Sequence, residues 1–108
     1  MKAIQIKSEN VESTILHLDG CVESEADCHI FFENLKRQFD MGKRNIVLIL
    51  HNHARIGDNF IRYLLREILD VQRLGGAFRI VVKSEEIFAR LQALNISNFS
   101  SIYREEMP

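Results

Sequence analysis

The chain predicts a mixed α/β fold, one domain in which helices pack on a four- to five-stranded sheet. Two observations carry this. Runs of strand length, apolar or alternating, are separated by longer segments whose apolar residues recur every three or four positions. Among them, Ile46-Val47-Leu48-Ile49-Leu50 is apolar throughout and leads through a polar connection into an amphipathic segment opening at Gly57-Asp58-Asn59-Phe60. A buried strand feeding a helix puts the connection at the strand's carboxyl edge, where open α/β domains place their sites. The working surface is therefore expected around Asp58 and Asn59. A chain of 108 residues holds one core and not two, so residues 1–108 read as a single domain.

Two alternating runs, Ala3 to Lys7 and Glu12 to Leu18, flank Ser8-Glu9-Asn10, whose composition suits a turn, and together they predict a hairpin. In the second run Leu16 and Leu18 fall on one face, with Ile15, His17 and Asp19 on the other. Gly20 ends it. Ser24-Glu25-Ala26-Asp27 then sets a hydroxyl and a carboxylate three residues apart, a pattern that satisfies free amides at a helix start. Cys28, Phe31, Phe32, Leu35 and Phe39 mark one face of a helix from about Glu25 to Gln38, closing before Gly42.

The apolar strand Ile46 to Leu50 is expected to be covered on both faces. The second helix should run from about Asp58 to Leu74, bury Ile61, Leu64, Leu65, Ile68, Val71 and Leu74, and stop at Gly75-Gly76. Ala77 to Val82 reads as the next strand. Ser84-Glu85-Glu86 caps a third helix with the stripe Ile87, Phe88, Leu91 and Leu94, and Asn95 suits a left-handed terminator. Phe99 to Tyr103 supplies a last short strand or turn. Strands separated by single helices favour parallel neighbours, here within a mixed sheet.

Composition narrows the function classes. Hydrophobic residues at 46% and charged residues at 27% mark a soluble globular domain. A net charge of −1 gives no overall field for nucleic acid or an anionic membrane. The N-terminus alternates polar and apolar residues, and no apolar run approaches the roughly 20 residues of a membrane span, so a cytoplasmic protein is expected. Cys21 and Cys28, with His17 and His29, match no zinc spacing, and Cys28 falls on an apolar helical stripe, so core packing is the default and a disulfide is not expected.

Several residues near the strand edge invite a chemical reading. Asp58 stands where a helix has free amides and a partial positive charge, which favours a carboxylate by roughly 0.3 to 1 kcal/mol, and Asp58 or Asn59 is expected as the N-cap. His51 and His53 are two apart, a spacing that puts both rings on one side if the strand continues. With Asp58 they form the alternative reading, a small-ligand or metal-binding domain, enzymatic or not. No serine or cysteine lies near them in sequence to build a nucleophilic set, and no cofactor is implied. Arg62, Arg66 and Arg73 line the second helix opposite its apolar stripe, with Arg55 just before it. Arg66 and Asp70, four apart, suit an ion pair, whereas Arg62 and Arg66 repel mildly. This is a solvated face or an arginine-rich docking surface. Gly75-Gly76 follows a helix and precedes a strand, the reverse of a phosphate cradle.

The order of these elements resembles the STAS domain, the small module of bacterial anti-sigma-factor antagonists and of the cytosolic tails of sulfate transporters. Leu16-x-Leu18-x-Gly20 with Val22 is similar to the family's early strand-and-glycine pattern, and Ile46 to Leu50 to its central strand. Ile56-Gly57-Asp58-Asn59-Phe60-Ile61 falls where the family carries an aspartate and a phosphorylatable serine or threonine before its second helix. Leu64, Gly75-Gly76, Phe78 to Val82 and Leu91 to Ile96 continue the match. The resemblance implies a STAS-like α/β fold and a non-enzymatic anti-sigma-factor antagonist in transcriptional signalling. It implies docking to a regulatory protein, usually an anti-sigma factor that is also a serine kinase.

One departure bears on the switch: no serine or threonine occurs from Glu25 through Lys83. Either Asp58 keeps the family's aspartate and Asn59 replaces the hydroxyl, or Gly57 replaces the aspartate and Asp58 stands at the hydroxyl position. The first register preserves an acid; the second puts about half a phosphate's charge there. The expected partner-binding residues are Arg55, Asp58, Asn59, Arg62 and Arg66, with neither nucleic acid nor membrane as partner. A scaffold subunit in a larger signalling assembly, or a homo-oligomer, is the remaining reading.

Overall fold

In the computed structural model, residues 4–8 and 13–104 are described. Seven strands and three helices follow in the order β1 Ile4–Ser8, β2 Ser13–Leu18, β3 Cys21–Val22, α1 Glu25–Asp40, β4 Asn45–Leu50, β5 Arg55–Ile56, α2 Asp58–Arg73, β6 Ala77–Val82, α3 Glu85–Ala93 and β7 Ser101–Arg104. A 3-10 turn, Ile96–Asn98, precedes β7. The main sheet has the order β1-β2-β4-β6-β7. Only β1 is antiparallel to its neighbour, so the sheet is mixed, as the helix-separated strands predict. The turn expected at Ser8-Glu9-Asn10 falls largely outside the described residues, although the β1–β2 pairing it would connect is present.

Register explains the core. Thr14, Leu16 and Leu18 pair with Ile46, Leu48 and Leu50, which pair with Phe78, Ile80 and Val82, and all nine are buried. The buried stripes of α1 (Cys28, Phe31, Phe32, Leu35, Phe39), α2 (Phe60, Ile61, Leu64, Ile68, Val71) and α3 (Ile87, Leu91) join them in a single cluster. The opposite sheet face corrects one expectation. Val47 and Ile49 stay partly accessible, so β4 is not covered on both sides. Its all-apolar composition is accounted for by cross-strand ladders, Ile15–Val47–Arg79 and His17–Ile49–Val81, in which β-branched neighbours shade one another.

Helix ends follow local chemistry. Ser24 Oγ accepts from the Asp27 amide at 3.1 Å and Ser84 Oγ from the Ile87 amide at 3.3 Å, capping α1 and α3. Gly75 at φ +86° ends α2, where Gly76 N–H donates to Val71 O and Gly75 N–H to Gln72 O, a double closure that needs a left-handed residue. Asn95 at φ +56° plays that part after α3, as its sequence position suggests. Leu74 and Leu94 were expected on buried stripes but are 61% and 53% exposed. Each is the residue at which its helix closes, so the turn points it away from the core face.

Sequence reading does not anticipate β3 and β5, which pair in parallel as a separate two-stranded sheet, Cys21 with Arg55 and Val22 with Ile56. This small clamp sets the start of α1 beside the start of α2.

Candidate functional site

The start of α2 is built by that clamp. Pairing with β3 draws the chain extended through Arg55–Ile56 and into Gly57, at φ −106° and ψ −175°, beside the Glu23 backbone. Gly57 is therefore the N-cap, and no side chain caps α2. This corrects the expectation that Asp58 or Asn59 caps the helix. A nonlocal strand pair fixes the backbone one residue earlier, and Asp58 becomes the first helical residue, where the helix dipole still favours its charge.

Asp58 points outward, its side chain 97% exposed. Its Oδ1 accepts from Arg90 Nη2 at 3.2 Å, while Arg90 Nη1 donates to the Ile56 carbonyl at 2.7 Å. One guanidinium from α3 thus fastens both the residue before Gly57 and the residue after it. Nothing in the sequence signals this, because Arg90 is 32 positions from Asp58 and its spacing within α3 is unremarkable.

Two shallow clefts flank this ridge. The first, about 250 Å³, lies on the α1 side and is lined by Glu25, Asn59, Arg62, Tyr63 and Arg66. Arg62 Nη2 donates to Asn59 Oδ1, and Tyr63 Oη donates to Glu25 Oε1 at 3.4 Å. Tyr63 stacks on Phe32 at 5.6 Å, and Phe60, Phe31 and Phe32 continue the aromatic packing inward. The second cleft, about 520 Å³, lies towards α3, with Glu23, His53, Arg55, Ser84, Glu86 and Arg90 among its lining.

The structure brings some expected residues together and separates others. Asn59, Arg62 and Arg66 share the first cleft; Arg55 lines the second, and Asp58 stands on the ridge between. His51 and His53 do not converge. Strand β4 ends at Leu50, a turn follows, and the His51 ring instead meets His17, Nε2 to Nδ1 at 2.8 Å. That contact spans 34 positions, which local spacing does not reveal. Among the described residues no three His, Cys, Asp or Glu side chains are grouped as metal ligands require. Asp70 pairs with Arg73 at 2.9 Å rather than with Arg66, leaving Arg66 without an ion pair or hydrogen bond among the described residues. Two groups are displaced in titration. Burial, then Asp27 and Glu25, push the Cys28 thiol up. Burial, then Asp70, raise Glu67 in the seam between α1 and α2.

Solved structures match this architecture. A Thermotoga maritima protein proposed to be an anti-sigma factor antagonist is similar at TM-score 0.80 and 18% identity, over 93% of this chain and 85% of that one. The anti-sigma factor antagonist SpoIIAA in its unphosphorylated form is similar at TM-score 0.71 and 11% identity, over 98% of this chain and 90% of that one. The fold is that of the anti-sigma-factor antagonists. Phosphorylated SpoIIAA of Bacillus matches nearly as well, at TM-score 0.69, 11% identity and 98% and 92% coverage. The chain, with its STAS-like fold, is thus about equally similar to the two forms of SpoIIAA. No protein-family model and no curated protein matches the chain by sequence.

Proposed function

We propose that this protein is a non-enzymatic interaction domain that docks a regulatory protein through the connection and helix beginning near Asp58. The observation that carries the reading is the form of the α2 start. It is an exposed ridge held in place by Arg90, with open clefts on both sides and, among the described residues, no three His, Cys, Asp or Glu side chains grouped as metal ligands require. A ridge of this kind suits a protein surface better than a small substrate, which binds in concave sites. The partner class, an anti-sigma factor or serine kinase, is the one the resemblance to the STAS domain implies, and the fold shared with anti-sigma-factor antagonists supports it. No helix among the described residues is long and apolar enough to cross a membrane.

In this reading the surface is a standing one. From residue 25 to residue 83 the chain offers a kinase no serine or threonine, and Asn59 or Asp58 stands where the family's phosphorylated residue falls. Capture from the native cell tests the proposal, with the Asp58→Lys/Asn59→Lys double variant as control. A signalling protein retained by the native chain and released by the variant is the expected result. Equal retention by both would remove the docking function from this ridge.

A further inference from the structure

We propose that the exposed face of α2 receives an acidic amphipathic helix, whose carboxylates, one turn apart, seat on Arg62 and Arg66 and whose apolar side chain rests on Leu69. This rests on the docking reading above and names the chemistry of the partner's surface.

Positions 62, 66 and 69 lie on one side of α2 at helical spacing, and Leu69 is 44% exposed there. The other arginines of the neighbourhood are already committed, Arg73 to Asp70 and Arg90 to Asp58. Arg62 meets only the neutral amide oxygen of Asn59, and Arg66 has no hydrogen-bond or ion-pair partner among the described residues. The cleft they share contains one acid, Glu25, which accepts the Tyr63 hydroxyl. Two cations against one anion leave it positive in a chain whose net charge is −1, so the patch is local rather than a consequence of composition.

Geometry selects a helix. Side chains four apart sit roughly 5–6 Å from one another along a helix, so two guanidiniums at that spacing match two carboxylates one turn apart. Each planar fork binds a carboxylate through two parallel hydrogen bonds. Tyr63, stacked on Phe32, gives the cleft a fixed wall, and Leu69 extends the contact apolarly one turn on.

The test uses a dye-labelled helical peptide of about 18 residues, long enough to hold a helix, bearing glutamates one turn apart and a leucine on the next turn, and a twin with lysines for the glutamates. The acidic peptide should bind, weaken as salt rises, and shift amide resonances of Glu25 and of residues 59–69. Arg62→Glu/Arg66→Glu should lose about tenfold or more in affinity for it and gain affinity for the lysine twin, since each tenfold is one well-placed charge contact. Both sites are exposed, and an unchanged melting curve shows the variant folded. Equal binding of the twins, no binding of the acidic peptide, shifts confined to another face, or equally tight binding of a short DNA duplex would each overturn the proposal. If the acidic peptide fails to bind while the native chain still captures a partner that the Asp58→Lys/Asn59→Lys variant releases, the acidic helix falls and docking stands. If the acidic peptide binds but no partner is lost on that variant, the docking function falls while the affinity of the face stands.

Discussion

Arg90 shows how a single side chain can hold a surface that its own helix does not belong to. Replacing it with Met keeps the stem but removes both hydrogen bonds, to the Ile56 carbonyl and to Asp58. Arg90→Met should cost about 1 kcal/mol in urea unfolding, since Asp58 is solvent-exposed and the Ile56 bond carries most of the effect. It should also weaken partner binding through disorder of residues 56–58, visible as amide resonance changes there. Glu67 makes a different residue-level prediction. Its folded pKa is raised by burial first and by Asp70 next, so the folded state holds its proton more tightly than the unfolded chain does. Stability then falls as pH rises through the carboxylate range, and Glu67→Gln should be more stable than the native chain at neutral pH. The difference should vanish in acid, below the unfolded pKa, in denaturation curves taken across pH.

At the scale of elements, the helices were legible because their signals are local: a serine before Asp27, glycines at 42 and 75, apolar spacing between. The cap of α2 and the β3–β5 clamp were not, because a two-residue strand carries no period and its partner lies more than thirty positions away. The same holds for His51 with His17 and for Arg90 with Asp58. The sequence thus located the candidate ridge without the contacts that shape it. Packing at the helix ends offers a sharp check. A Cβ on Gly76 would lie 2.7 Å from Val71 Cγ1 and 2.9 Å from the Arg44 carbonyl, so Gly76→Ala should destabilise by about 1–3 kcal/mol. Phe60→Ala, in the fully buried aromatic group joining α1 and α2, should cost about 3–5 kcal/mol, and Leu74→Ala, exposed at a helix end, little by comparison. Urea midpoints of the three variants would rank them.

For the whole molecule, the mixed sheet was readable from strand and helix alternation, whereas its strand order and its open second face were not. Apolar β-branched residues occur on both faces of β4, and only the register with β2 and β6 shows which is covered. The fold is shared with SpoIIAA, solved in phosphorylated and unphosphorylated forms, and this chain carries an aspartate and an asparagine where its second helix begins. Under the proposed function this helix start presents a fixed surface. The most direct measurement is the affinity for the captured partner before and after incubation with ATP and the partner's kinase, together with peptide mass mapping of residues 55–65. The proposed function predicts an unchanged affinity and no phosphate in that segment. A phosphate mapped there, with loss of binding, would contradict it.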